Sequence, residues 1–283
     1  MPDIWLPYKI EEDFKISSFY SAFIRDCNGE YFFQGESHDF WELCFVVKGS
    51  VCLSVDDKVI RLCEDQIIFH KPMEFHSLRT DNNTTTALLI VSFSAEGDFI
   101  NFFKDKTFTL SHNQKKNVLR IINYLKETCQ PQDKEYIPWA YLDILKEKQN
   151  GMKLLKNITE NLLISLADTH ASKPDIIKNS ETDIYTDSLR IISNNIYTKL
   201  TVNELAKLCN VSSAYLKKIF AKYNGLGIHE YILQTKISIA KQMLADGEQI
   251  SEIADALAFS TQNYFSTAFK RETGYTPKEY ANL

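Results

Sequence analysis

Long apolar runs are missing from this chain of 283 residues. None exceeds about six residues, far short of the ~20 that a membrane-spanning helix needs. Met1-Pro2-Asp3-Ile4-Trp5 also lacks the basic region and apolar core of a secretory signal, so a cytoplasmic location without membrane contact is the expectation. Paired cysteines are missing as well. Cys27, Cys44, Cys52, Cys63, Cys129 and Cys209 show neither Cys-x-x-Cys nor zinc-finger spacing, and they read as free thiols in a reducing compartment. A positive net charge is the third absence. The chain carries −5 overall, which excludes a strongly basic protein that coats nucleic acid indiscriminately. The distribution matters more than the sum. Residues 1–180 hold 21 basic and 26 acidic side chains, whereas residues 181–283 hold 11 of each. The acidity therefore lies outside the C-terminal third.

That third is one helical motif written twice. Thr201-Val202-Asn203-Glu204-Leu205-Ala206 matches Gln249-Ile250-Ser251-Glu252-Ile253-Ala254, and Tyr215 to Phe220 matches Tyr264 to Phe269. Each copy closes on Gly-x-x-x-x-x-Tyr, Gly225 to Tyr231 and Gly274 to Tyr280. Fixed-period self-similarity marks a repeated structural unit. In the first copy Thr201 and Glu204 have the spacing of a capping box. Val202, Leu205, Ala206 and Cys209 then line one helical face. The chain turns at Asn210-Val211, and Ser212 is placed to cap a second helix. Leu216, Ile219, Phe220 and Tyr223 face inward on that helix, while Ala214, Lys217, Lys218 and Ala221 face out. The second copy repeats the plan with Ser260 as the expected cap and Phe265, Ala268 and Phe269 inward. Gln262, Asn263, Ser266, Thr267 and Lys270 lie on its outward face. A small, polar or basic face on a helix braced by another suits a major-groove reader; an ordinary amphipathic helix pair is the plainer alternative.

Ile253-Ala254, Phe259-Ser260, Tyr264-Phe265-Ser266, Ala268-Phe269-Lys270 and Gly274-Tyr275-Thr276-Pro277-Lys278-Glu279-Tyr280 together resemble the signature of AraC/XylS-type transcription regulators. The resemblance covers about the last hundred residues. It implies a non-enzymatic regulator with double-stranded DNA as partner, contacted by Ser213, Ala214, Lys217, Lys218 and Lys222 from the first copy. The second copy would contribute Gln262, Asn263, Ser266, Thr267 and Lys270. A homodimer and contact with RNA polymerase are further implications. Two positions depart from the family pattern. Ala258 stands where glycine is usual in the turn, and Thr267 stands where a basic residue is frequent.

Residues 16 to about 93 read as short strands separated by turns, the pattern of a barrel or sandwich. Trp41 to Lys48 ends at Gly49-Ser50, Val51, Leu53 and Val55 alternate with smaller residues, and Asp56-Asp57 makes a tight turn. Ile67 to Phe69 and Leu88 to Val91 are further buried strands. His38-x-x-x-Glu42-x-x-x-x-x-x-Gly49, followed by Pro72-x-x-x-His76, resembles the two motifs of a cupin barrel. By that resemblance Glu36, His38, Glu42 and His76 stand at metal-ligand positions, with Glu36 where histidine is usual. Two imidazoles and a carboxylate are able to hold a non-haem iron or similar ion. The alternative, taken here as the expectation, is a polar ligand pocket with no metal and no cofactor. His70 and His112 have no evident partners and are expected at the surface.

Residues 111–170 turn helical, with Ser111 as a cap and Val118, Ile121, Ile122 and Leu125 on one face. Trp139 opens a second apolar stretch. Met152, Leu155, Ile158, Leu162 and Leu166 form a stripe that either packs on the barrel or makes a dimer seam. The expected fold is α+β. Residues 1–110 form a cupin-like sensor barrel and 111–170 a helical connector suited to dimerisation. A linker spans 171–182, and an all-α DNA-binding domain with two helix-turn-helix motifs spans 183–283. The expected function is sequence-specific transcription regulation under a small-molecule effector or dimerisation. The rival from another class is a metal-dependent cupin enzyme with an appended helical domain.

Overall fold

The computed structural model describes residues 8, 14–27, 29, 31–80, 85–128, 140–167, 171 and 174–282. Cys129, Trp139 and the residues Met1 to Trp5 lie outside them, as does part of the expected linker. Ten strands come in chain order: β1 (Lys15–Cys27), β2 (Phe32–Glu36), β3 (Trp41–Lys48), β4 (Ser50–Val55), β5 (Lys58–Cys63), β6 (Gln66–His70), β7 (His76–Thr80), β8 (Thr86–Glu96), β9 (Thr107–Thr109) and β10 (Asp175–Ile176). They form two five-stranded sheets, ordered β1-β8-β3-β6-β9 and β10-β5-β4-β7-β2, and every pairing is antiparallel.

The first sheet is covered on both faces, which is why its strands read as near-continuous apolar runs rather than clean alternations. Leu43, Phe45, Ile67, Phe69, Leu89 and Val91 join a core shared with the connector helices. Their neighbours Cys44, Val46, Ile68 and Leu88 point the other way, into the core between the sheets. The period of two along each strand thus feeds two different cores.

The connector supplies α1 (His112–Thr128), α2 (Ala140–Glu147) and α3 (Gly151–Ala167). Ser111 Oγ accepts from Gln114 N, as its capping role requires. Leu155, Ile158, Leu162 and Leu166 are buried in the same core as Val118, Ile121, Ile122 and Leu125. Each such side chain contributes about 1.5–3 kcal/mol by leaving water. The stripe is therefore spent on intramolecular packing and is not available as a dimer seam.

The C-terminal half contains α4 (Ser180–Asn194), α5 (Val202–Leu208), α6 (Ser213–Asn224), α7 (Ile228–Ala245), α8 (Ile250–Ala256), α9 (Gln262–Thr273) and α10 (Pro277–Tyr280). Helix α4 starts inside the stretch expected to be linker, because Asn179 and Thr182 close a capping box there. Just before it, β10 adds an edge strand to the second sheet, with Asp175 opposite Arg61 and Ile176 opposite Ile60. Val59 and Phe75 of the barrel are buried in one cluster with Tyr185, Phe220, Tyr223 and Tyr231 of the helices. The layers run from the connector helices through both sheets to the C-terminal helices.

Candidate functional site

Each repeat copy folds as a short bracing helix, a tight turn and a longer outward helix. Thr201 caps α5 and makes a full capping box with Glu204. The turn at Asn210 has φ 57°, and Val211 N bonds back to Ala206 O at 3.0 Å. Ser212 then caps α6 by accepting from Tyr215 N. In the second copy Ala258 takes φ 51°, and Phe259 N bonds to Ala254 O at 2.9 Å. The cap of α9 is Thr261, not the expected Ser260. The second copy's extra residue falls in this turn and moves the capping position one step along the chain. Both outward helices end at a left-handed glycine, Gly225 and Gly274.

Leu216, Ile219, Phe220 and Tyr223 bury one face of α6, and Phe265, Ala268 and Phe269 bury the matching face of α9. Ala214, Lys217 and Lys218 are exposed, as are Gln262, Asn263, Thr267 and Lys270. Ser213 and Ser266 are half-buried, and the Ser213 hydroxyl donates to Asn203 Oδ1 at 2.7 Å. The Thr267 hydroxyl bonds its own helix at Asn263 O, 2.9 Å. Lys222 is committed to Glu181 at the start of α4 by a short ion pair. Among the described residues, Lys217 and Lys218 of the expected basic stripe have no such partner.

A second constellation lies at one end of the barrel. Opposed strand pairs bring it together: Glu36 sits across from His76 in one sheet, and Glu42 across from His70 in the other. The ligand atoms of Glu36, His38, Glu42 and His76 all lie within 4.8 Å of one another. Glu42 is the hub. One oxygen is 3.4 Å from His76 Nε2, while the other is 3.8 Å from His38 Nε2 and accepts from the Ser92 hydroxyl at 2.8 Å. Glu36 reaches His38 Nε2 at 4.0 Å.

Both imidazoles use Nδ1 on a backbone carbonyl, Phe40 O for His38 and Glu74 O for His76. That fixes the neutral tautomer with Nε2 as the lone-pair nitrogen. Both Nε2 atoms are buried without a hydrogen-bond partner among the described residues. A lone pair aimed at a carboxylate needs a positive charge between them, either a proton or a metal ion. Burial would push Glu42 up, but the two imidazoles overcome it and hold the carboxyl well below its usual range. Burial likewise opposes charge on His76, yet Glu42 and Glu36 carry it up to about 9.

His70 is a correction. It is buried rather than at the surface, donates its Nδ1–H to Glu74 Oε1 over 2.8 Å, and stacks on His76 with ring centroids 4.1 Å apart. Burial and the neighbouring His76 lower its pKa. The available signal was β6 itself, a strand whose apolar residues fall on both faces and which therefore has no solvent side for a histidine. His112 is exposed, as expected.

Comparison with known proteins places two family models on the chain. An AraC-like ligand binding domain matches residues 18–120, and a helix-turn-helix domain matches residues 205–282. The Msm operon regulatory protein of Streptococcus mutans is 38% identical over 104 residues, which are 36% of this chain and 37% of that protein. The HTH-type transcriptional activator RhaR of Shigella dysenteriae is 21% identical over 286 residues, covering 97% of this chain and 96% of its own. Among solved structures, ToxT from Vibrio cholerae is 16% identical with a TM-score of 0.36, over 96% of this chain and 98% of that one.

Proposed function

Because the chain is a DNA-binding transcription regulator of the AraC type, an AraC-like ligand-binding domain joined to a helix-turn-helix domain, we propose that α6 and α9 are its two reading helices and that a small molecule bound by the N-terminal half controls them. The observation that carries this reading is the pair of capped helices, each buried on one face and exposed on the other, in tandem copies. Two such helices read successive major-groove segments about one turn, roughly 34 Å, apart. Since the copies differ in sequence, one chain requires a non-palindromic site. The protein acts in the cytoplasm, dimerises through its N-terminal half and meets RNA polymerase at its promoters.

Lys217 and Lys218 reach guanine O6 and N7 or a phosphate from α6, and Gln262 and Asn263 pair with adenine from α9. The first copy supplies more of the affinity because it brings two ammonium groups, whereas Thr267 leaves α9 mostly neutral. A salt titration on operator and scrambled DNA tests this. Lys217→Ala should weaken specific binding by about 1–3 kcal/mol if it reads a base, or lower the salt slope by about one if it holds a phosphate. Gln262→Ala should flatten base preference and leave the slope alone. Unchanged preference and equal slopes in both variants would sink the assignment.

A second reading concerns the barrel and is favoured by the two orphaned Nε2 atoms. Glu36, His38, Glu42 and His76 fit a divalent ion of the zinc or non-haem iron kind, with two imidazoles and up to two carboxylates. Such an ion would supply the positive charge that these lone pairs and carboxylates share. The expected alternative, a metal-free polar pocket, places a proton on His76 instead. Metal content after dialysis decides between them. One equivalent of ion, with a melting point that falls on chelation, establishes the metal, since binding energy is folding energy. Substoichiometric metal and a chelator-insensitive melt establish the proton.

A further inference from the structure

The barrel and the C-terminal helices meet closely along one side and part along the other. On the close side the hydroxyls of Ser54 and Ser77 both donate to Tyr223 O, at 2.6 and 2.9 Å, at the end of α6. On the other side a cavity of about 850 Å³ separates the barrel from α4 and α7. Protein interiors are otherwise close-packed, and a cleft of this volume has the size of a small-molecule site.

Its barrel wall is acidic. Glu36, Asp56 and Asp57 all line it. Lys71 lies 3.6 Å from Asp56 but is closer to Asp105, at 2.8 Å. Burial and the Glu74 carboxylate push Asp56 up, as expected of an acid short of positive charge. The helical wall adds Arg190, Lys241 and Glu272, which leaves the lining acidic by four carboxylates to two cations, and Lys241 leans toward the Tyr280 ring at 5.9 Å. Arg190 is held by Asp187 at 2.7 Å, and the last turn of α4 ends there at Asn194, presenting the negative end of its dipole. Ser37 also lines the cleft, and its hydroxyl oxygen is buried with no partner among the described residues. A buried hydroxyl left unpaired costs about 1–3 kcal/mol, which a bound donor would recover. The floor is apolar and aromatic, with Phe75 from the barrel edge-on to Tyr231 from α7 at 4.9 Å.

We propose that this interdomain cleft binds a small organic cation, an ammonium group carried on an apolar body. The ammonium sits among Glu36, Asp57 and the Ser37 hydroxyl, and the apolar part lies over Phe75 and Tyr231. The chemistry is set by an acidic rim over an aromatic floor, which also favours cations through the ring faces. A ligand held by both walls stabilises the docked arrangement of the two halves over any separated one, and so shifts DNA binding. This last step rests on the reading of the chain as an effector-controlled regulator; the cleft's preference for a cation does not.

Thermal melting of the full chain with three isosteric probes tests it: cyclohexylmethylamine, cyclohexylmethanol and cyclohexanecarboxylate, each at about 10 mM, enough to load a site of millimolar affinity. The amine should raise the melting midpoint and the other two should not. Asp57→Asn and Ser37→Ala lie outside the buried apolar clusters. Without ligand the first should melt like the wild type and the second at or above it, since it removes the unpaired hydroxyl, and both should lose most of the amine's shift. An equal shift with the alcohol or the acid, no shift with any probe, or a full shift in both variants would overturn the site. Operator affinity is then measured with and without the amine. A severalfold change supports the coupling, and an unchanged affinity overturns it. Because the salt titration of Lys217 and Gln262 contains no amine, failure there is separable from failure here.

Discussion

Ala258 marks a difference in backbone cost between the two copies. It occupies the turn position matched by Asn210, and both have positive φ, 51° and 57°. Asparagine tolerates the left-handed region, whereas alanine's Cβ crowds the following carbonyl. The turn forms in the second copy regardless, because Phe259 and Leu257 are pulled into the core beside Phe265. Ala258→Gly should therefore stabilise the protein by about 1 kcal/mol. Urea melts of the two proteins check this, and an unchanged or lower midpoint would show that the core carries no such strain. Lys222 teaches the opposite lesson. Its place in a basic stripe suggested DNA, yet its ammonium is engaged by Glu181, a partner 41 residues away that no local pattern indicates.

Among the elements, α7 decides how the two copies sit relative to each other. It follows α6 directly, and Ile237, Ala240 and Leu244 pack into the core of the second copy. Lys236 lies buried on it. Its ammonium donates to Leu257 O at 2.6 Å, at the end of α8, and to Thr198 O at 3.4 Å, between α4 and α5. One side chain thus ties the bracing helix of the second copy to the entry of the first. Burial lowers the pKa of Lys236, and its two partners are backbone carbonyls rather than a carboxylate. Lys236→Met keeps the apolar stem and leaves both carbonyls without their donor. The expected loss is about 1.5–3 kcal/mol, with operator affinity reduced if α6 and α9 are the proposed reading helices, because the two copies lose their shared strut. A denaturant melt with an unshifted midpoint would remove Lys236 from this role. At the N-terminal end, Asn179 caps α4; a DNA-binding fragment begun at Thr182 discards that cap at a cost of about 1 kcal/mol, whereas one begun before Asn179 keeps it.

At the scale of the whole molecule, the barrel rests on the C-terminal end of α6. Gly225 and Gly274 allow this to be measured, because they occupy the same place in the two copies with φ 77° and 81°. A Cβ on Gly274 would meet nothing, while one on Gly225 would overlap the Phe32 ring of the barrel. Both alanine variants bear the left-handed strain of about 1–2 kcal/mol. Only Gly225→Ala should also push the two halves apart. In the full chain Gly225→Ala is thus expected to destabilise more than Gly274→Ala, and in a fragment beginning before Asn179 the two should cost the same. Equal costs in the full chain would mean that the barrel does not bear on α6. Around that contact the Arg79 guanidinium lies 5.0 Å from the Tyr223 ring centroid, and β10 clips the connecting chain to the sheet edge. The docked arrangement is held by these ties together with the apolar cluster in which Val59 and Phe75 meet Tyr185, Phe220, Tyr223 and Tyr231.

The sequence by itself determined whatever depends on near neighbours along the chain. The doubled motif, the capping box at Thr201, the inward faces of α6 and α9 and the turn at Asp56-Asp57 all arise from spacings of a few residues, where backbone geometry leaves little choice. Tertiary structure alone decided the rest. Whether the stripe from Leu155 to Leu166 met its own barrel or a second chain depended on an apolar surface that the stripe cannot specify. His70 became buried because its strand is covered on both faces, and Glu36 and His76 of one sheet faced Glu42 of the other because two separate registers happen to align. The cleft and the contacts at Tyr223 join residues more than a hundred positions apart, and their geometry is set by how whole layers pack, a sum over many side chains that no local pattern contains.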